Sequence, residues 1–425
     1  MRILLIGNYA PDRQESMLRF AELMHRELTA RGHSVMLLQP KPILGGSSKW
    51  LGYADKFLLF PFTLNRVKKK YDVVHLCDHS NSIYAKYLVD LPNIATCHDV
   101  LAIKSALGEV PQNIVSSTGR KLQQLILDGL KIVRYVVCDS EISREDMLRV
   151  TGRAAETSAV VYLSLNYDYC PMPRAEALAL LDRLGFDART AYFIHVGGAA
   201  WYKNRLMLLR LFSKLRTLIV EAGQPPVPRL LFVGGALDAE MLAFVREAGL
   251  DGQVVHLSGV SNEDLRAAYS LSSGLLFPSL QEGFGWPVLE AQSCGCPVFA
   301  TRRKPMTELG GDAAVYFDPA NVDAAARIVC NALPQSESLR RKGFENVRRF
   351  SIQNMIDGYL KAYEHVSRPT TYNSPSKLRS SPSAFPQRLK PPGLCSTYGG
   401  TGSPALSKRR RIGASSLASA RRHLV

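Results

Sequence analysis

Short apolar runs that alternate with helix-patterned segments, and do so in two successive series, constrain this chain more than any other feature. "RILLIG", "SVMLLQP", "VVHLC", "NIATCHD" and "YVVCDS" have the Val, Ile and Leu density of parallel strands buried on both faces. Between the first two, "QESMLRFAELMHRELTARG" puts Met17, Phe20, Leu23, Met24 and Leu28 on one helical face and stops at Gly32. The alternation restarts near residue 190 with "YFIHVGG", followed by "RLLFVGG", "VVHLSG", "SGLLFPS" and "CPVFAT". Two such series predict two doubly wound, Rossmann-like α/β domains rather than one large sheet. We expect the first at residues 1–170 and the second at 171–350. A helix at 351–367, "SIQNMIDGYLKAYEHV", is expected to pack back on the first domain.

From Arg368 onward the composition turns to Ser, Pro, Gly, Thr and basic residues. The formal charge of +16 over 425 residues is therefore uneven. Residues 368–425 hold eleven Lys or Arg and no acid, which leaves +5 for the rest. A segment so poor in large aliphatics cannot offset its ordering entropy, so a disordered tail is expected at 368–425. Its "SKRRR" reads as a solvated charge run in preference to a nuclear-import or polyanion patch, and no specific nucleic acid is expected as a partner.

The N-terminal "MRILLIGNYAP" reads as a first strand, not a signal peptide, and no run of 18 apolar residues spans a membrane. The eight cysteines form no C-x-x-C pair, which favours reduced thiols and a cytoplasmic protein. "KFLLFPFTLNRVKKK", residues 56–70, reads first as a buried helix end with a solvated basic exit. A weak peripheral association with the inner membrane face is its second reading.

Chemistry concentrates in "QEGFGWPVLEAQSCGCPVFATR", residues 281–302. Glu282 follows the strand "GLLFPSL", at the carboxyl end where open α/β sheets bind ligands. Gly283 and Gly285 let backbone amides approach a ligand without a Cβ in the way. Pro287 suits the first helical position, which leaves the amides of Val288 and Leu289 free as an anion site. Glu290, about one turn in, is suited to accept hydrogen bonds from two vicinal hydroxyls. The ligand these residues predict carries phosphates, a ribose and polar hydroxyls. Lys203, after "HVGG" at a helix entrance, is a fixed cation where a phosphate would sit. His98 ends the strand "NIATCHD", with Asp99 beside it to orient its ring or cap a helix. His75 and His79 are placed to face an acceptor.

"LFPSLQEGFGWPVLEAQSCGCPV" and "ELGGDAAVYFDP" resemble the E-x7-E region of family 4 (group 1) retaining glycosyltransferases of GT-B fold. "SGVSNEDLRAAYSLSSGLLFPS", with Ser261 as a helix cap, "HVGGAAWYKN", "ATCHDV" and "VVCDSEISREDM" extend the resemblance over roughly residues 1–367. It implies a GT-B architecture, two domains facing a cleft, and transfer of a sugar from a nucleoside-diphosphate sugar to an acceptor hydroxyl with retention. It implies that His98, Lys203 and Glu282 act at the reacting centre. Donor binding would involve Gly7, Gly197, Lys203, Arg205, Glu282, Gly283, Phe284, Gly285, Val288, Leu289 and Glu290. The acceptor, whether saccharide, lipid-linked or small molecule, is not readable. No cofactor or metal is expected, and no two aspartates are separated by a single residue, so there is no D-x-D site. Two departures stand out. Gly198 replaces the usual arginine before the lysine, leaving Arg205 as the candidate substitute, and "GNYAPDRQESM" replaces a Gly-Gly loop. A sugar-nucleotide epimerase, a phosphorylase or an inactive interaction domain of the same fold are the alternative readings.

Overall fold

The computed structural model describes residues 1–45, 49–223 and 228–368. Apart from Arg368, the expected disordered tail lies outside the described residues. The first six strands are β1 (Arg2–Ile6), β2 (Ser34–Leu38), β3 (Val73–Leu76), β4 (Asn93–Cys97), β5 (Tyr135–Cys138) and β6 (Ser158–Val160). They form one parallel sheet in the order β2-β1-β3-β4-β5-β6. A second parallel sheet contains β7 (Tyr192–Gly197), β8 (Arg229–Gly234), β9 (Val254–Leu257), β10 (Gly274–Phe277), β11 (Val298–Thr301) and β12 (Ala314–Phe317). Its order is β12-β11-β10-β7-β8-β9. Each sheet reverses its winding direction once, between β1 and β3 in the first and between β7 and β10 in the second. Loops diverge to opposite faces at such a reversal and leave a crevice at the carboxyl strand ends. Those two crevices place the site.

The strands are buried because helices cover both sheet faces, as the continuous apolar runs require. The helix Ile352–Ser367 belongs in sequence to the second series but lies against the first sheet. It buries Met355, Ile356, Tyr359, Tyr363 and Val366 along one stripe, and Ser351 caps its start by accepting from the Asn354 amide. Its Tyr359 hydroxyl meets Thr96 Oγ1 at 3.0 Å, and Asp357 pairs with Arg31 at 3.0 Å. The same helix overturns the acceptor-facing expectation for His75. That ring is fully buried, bonded to Tyr363 Oη at 2.8 Å and Thr96 Oγ1 at 2.7 Å, and stacked on Tyr359. Burial pushes its pKa down to about 3, so it is a neutral core group. Ser261 is a helix cap as expected, forming a reciprocal capping box with Asp264. Among the described residues no helix is long and apolar enough to cross a membrane.

Candidate active site

The crevice between β7 and β10 brings together the two charged groups singled out in the second series. After β7 the chain makes a 3-10 turn, Trp201–Lys203, and Asn204 then adopts a left-handed conformation (φ 54°, ψ 41°) before the helix Arg205–Glu221. Asparagine tolerates that region better than most residues with a side chain. The turn aims Lys203 back over the strand end, where Gly197 makes room: a Cβ there would stand 3.3 Å from Lys203 Cδ. Lys203 Nζ lies 2.7 Å from Glu282 Oε1, with both side chains about nine-tenths shielded, and 5.3 Å from the centre of the Phe277 ring. The phosphate cation and the sugar carboxylate of the sequence reading are therefore a single ion pair.

Glu290 lies on the next helix, Trp286–Ser293, entered through Gly285 at φ 102°. Its carboxylate is buried and accepts from Tyr269 Oη at 2.9 Å. Two expectations about this helix need correcting. Pro287 is its second residue rather than its first, and the Val288 amide is not free but donates to the Gly285 carbonyl at 3.1 Å. The entry turn consumes that donor. Val288 and Leu289 contribute fully buried side chains. Phe284 is likewise nearly buried, its ring edge-on to Trp286 and Phe350, so it anchors the loop. Arg205 is turned away to the β8 loop, donating to the carbonyls of Gly235 at 2.7 Å and Ala236 at 3.0 Å and packing on Phe232. It braces backbone there instead of filling the place of the arginine replaced by Gly198.

On the first domain, His98 leaves β4 beneath the cleft. Its Nδ1 is 2.5 Å from Asp139 Oδ2, and its Nε2 donates to the Cys77 carbonyl at 3.0 Å. Burial alone would lower its pKa, but the charges and hydrogen bonds of Asp139 and Asp78 outweigh it and push it up to about 9. Both ring nitrogens are engaged in hydrogen bonds, so neither is free to act as a base. That geometry leaves His98 a positional role. Asp99 accepts from the Leu101 amide at 2.8 Å at the entrance to the following helix, while Asp139, just after β5, holds the ring. Gly7 backs onto Gln39, whose side chain would lie 2.7 Å from a Cβ there. The polar loop after it is filled from within: Asn8 Nδ2 donates to Asp78 at 2.6 Å, and Asn81 donates to Asn8 at 2.9 Å.

One backbone carbonyl is held jointly by the two halves. Ser140 Oγ donates to Gly283 O at 2.7 Å, and Ser143 Oγ lies 3.1 Å from it and 3.0 Å from His98 O. Glu308 Oε1 accepts from the Glu141 amide at 2.8 Å, placing a second-domain carboxylate on the N-terminus of the helix Glu141–Thr151. Lys304 adds an ion pair to Glu145 at 2.8 Å. The loop that carries Glu282 is thus held by the other domain. A cavity of about 460 Å³, lined by Leu23, Arg26, Tyr169, Leu289 and Phe350, opens behind this seam and away from the Lys203–Glu282 pair.

Residues 179–350 match the family model described as "Glycosyl transferases group 1". That stretch is similar to the group 1 glycosyltransferases. The chain is 26% identical to the O-antigen chain mannosyltransferase B of Escherichia coli over 299 residues, 68% of this chain and 76% of that protein. It is 27% identical to the D-inositol 3-phosphate glycosyltransferase of Mycobacterium sp. (strain KMS), covering 64% of this chain but only 61% of that protein. Among solved structures, Anabaena HepE in complex with UDP and glucose superposes with a TM-score of 0.64 at 17% identity, covering 86% of this chain and 99% of that one. WaaG, a glycosyltransferase involved in lipopolysaccharide biosynthesis, gives 0.61 at 16% identity over 86% and 99%. At such identities the structures establish the GT-B fold.

Within the matched stretch Glu290 carries a measurable signature. Burial, only partly offset by the Tyr269 hydrogen bond and the Lys203 charge, raises its pKa from 4.5 to about 7. Hydroxyl donors prefer the ionised carboxylate, so nucleoside-diphosphate affinity should rise as pH climbs through about 7. Titration calorimetry across that range should show the rise in the native protein and lose it in Glu290→Gln, whose nucleotide phosphates titrate identically. The sign for the empty protein is opposite. The folded state holds a proton that the unfolded chain releases near 4.5, so this contribution to stability falls between pH 4.5 and 7.

Tyr269, Asp139, Ser140 and Ser143 had no place in the sequence reading. Ser140 and Ser143 carried one available signal: serine two and five residues beyond a strand end is a helix-cap pattern, and caps sit at ligand-facing strand ends.

Proposed function

We propose that this chain is a family 4 enzyme that transfers a hexosyl group from a nucleoside-diphosphate sugar to an acceptor hydroxyl with retention and without a divalent metal. The Lys203–Glu282 pair at the β7–β10 crevice, with Glu290 on the helix behind it, is the observation that carries this reading. A diphosphate entering the crevice meets a cation fixed by a turn, and growing negative charge on the leaving group is where preorganised charge acts most strongly. A unit-charge pair at 4 Å interacts by ~4 kcal/mol at an effective dielectric of about 20. Glu290 takes the ribose hydroxyls, and Glu282, braced by Lys203, takes those of the donor sugar. The anomeric C–O bond to phosphate breaks and a bond to the acceptor oxygen forms on the same face. The acceptor proton passes to the departing diphosphate. Residues 1–170 would carry the acceptor and 171–350 the donor. The relatives named as mannosyl- and inositol-phosphate glycosyltransferases, and HepE with UDP and glucose, support a nucleotide-sugar donor and a polyhydroxylated acceptor. The unpaired cysteines among the described residues suit a reducing cytoplasm.

A thermal-shift panel of UDP-, GDP- and ADP-sugars identifies the donor, and NMR of the product reads the anomer. Turnover should persist in excess chelator. A loss that magnesium or manganese restores would show that a metal is required. Free nucleotide released at the same rate without acceptor would instead point to an epimerase or hydrolase, and an inverted anomer would refute the same-face step.

A further inference from the structure

The first domain carries an apolar, cationic face that the transfer chemistry does not use. Of the thirteen exposed large hydrophobic residues among the described ones, eleven lie in the first 132 residues. Three of them, Leu51, Leu58 and Phe62, share the helical stretch from Lys49 to Val67 at a spacing of seven and four. That spacing puts them on one face. Leu58 is 62% and Phe62 69% exposed, while Phe60 and Leu64 on the opposite side are buried. Ile43 and Leu44 in the preceding loop are exposed as well. The apolar face continues into a cavity of about 270 Å³ formed by Phe57, Pro61, Ile83, Tyr84, Leu125 and Ile132, with Lys86 also lining it.

Charge along the helical stretch is one-sided, although Asp128 lines the cavity beside Lys86. Residues 41–70 contain seven lysines and arginines and one acid, Asp55. Asp55 is buried and accepts from Tyr9 Oη at 2.8 Å and from the amides of Leu44 and Gly45 at 2.9 Å, so it offers nothing outward. Lys56 pairs with Asp12, and Lys68 donates to the Tyr87 carbonyl. Arg66, Lys69 and Lys70 are exposed and pair with no carboxylate among the described residues.

We propose that this face docks on an anionic phospholipid bilayer, with Leu51, Leu58 and Phe62 in the acyl boundary and Arg66, Lys69 and Lys70 on the phosphates. Large exposed apolar groups beside unpaired cations match a surface that offers hydrocarbon under a layer of negative charge. Soluble partners rarely present both together. Asp55 ties the docking stretch to Tyr9 in the loop after β1, which opens on the cleft, so the acceptor side of the protein is the side held near the lipid. Docking itself does not depend on the proposed chemistry and is tested without turnover.

The full-length protein is sedimented with phosphatidylglycerol–phosphatidylcholine vesicles and with phosphatidylcholine vesicles alone. Binding should favour the anionic vesicles and weaken with salt. Leu58→Asp with Phe62→Asp should weaken it by about a hundredfold, since each inserted side chain is worth about a factor of ten. Arg66→Glu with Lys69→Glu and Lys70→Glu should abolish the anionic preference. Unchanged melting temperature and nucleotide affinity would show that both variants fold. Absence of vesicle binding by the native protein overturns the proposal. Equal binding by both variants does so too, because the basic tail, which they retain, would then be the anchor. Salt-dependent capture by an acidic polypeptide with no affinity for vesicles would assign the face to a protein instead, and equally overturn it.

Discussion

Replacing Glu282 by alanine should lower kcat by about 10²-fold or more while leaving the affinity for bare nucleoside diphosphate nearly intact. In the structure the Glu282 carboxylate is braced by Lys203 at 2.7 Å and the loop behind it is held through Gly283. Such a group is rigid where the donor sugar reacts and has no part in gripping the ribose. Glu290→Ala should fail in the other way. Its carboxylate lies one helix further in, beside Tyr269, and in the proposed function it would hold the ribose equally in ground and transition states. Its loss should raise KM and weaken nucleoside-diphosphate binding with a smaller effect on kcat. Steady-state kinetics on both variants, with calorimetry against the bare nucleotide, separates the roles. The reverse pattern would exchange them, and wild-type behaviour of both would reduce the two glutamates to solvated loop carboxylates.

Gly283→Ala should lower turnover too, at most to about the extent of losing Glu282, although it removes no functional group. A Cβ at this position would stand 2.3 Å from the His98 carbonyl oxygen and 3.1 Å from its carbonyl carbon and from Asp99 Cβ. Two of those atoms are backbone at the end of β4 and cannot swing aside. Overpacking of this kind costs about 1–3 kcal/mol. The molecule can relieve it by parting the two domains along the seam. The energy then appears as a closed state made rarer, and kcat should fall by roughly 5- to 150-fold, the range that this energy converts to. Nucleoside-diphosphate affinity should stay close to native, because Lys203 and Glu290 lie on the far side of the gap. Ser140→Ala with Ser143→Ala should act in the same direction but more mildly, since it loosens the carbonyl without driving it away. Full activity in Gly283→Ala would mean that the seam opens during turnover and that its closed form is not the reacting one.

The parts of the site that the sequence discloses are those fixed by local geometry. Lys203, Glu282 and Glu290 each follow a strand end by a turn whose glycines, proline and helix start are written within ten residues of them. Both sheets were legible for the same reason, since parallel strands buried on both faces must be continuous apolar runs. What stayed hidden was set by partners distant in the chain. Asp139 orients His98 from 41 residues away, and Tyr363 seals His75 from 288 residues away. Asp99, adjacent in sequence to His98, accepts from the Leu101 amide instead. Strands β6 (Ser158–Val160) and β12 (Ala314–Phe317) escaped the pattern because each is a short strand at the edge of its sheet. The Val288 amide was miscounted because the helix begins one residue earlier than its proline suggested.

The grip of Ser140 and Ser143 on Gly283 also bears on how such a protein can diversify. If the first domain carries the acceptor, as proposed, new acceptors would come from changes there. The freedom to change is not uniform across that domain. The turn after β5 is constrained, because any change at 140 or 143 is felt one residue from Glu282. Grafting acceptor loops from a relative should therefore leave residues 139–143 in place, as a boundary that both halves read.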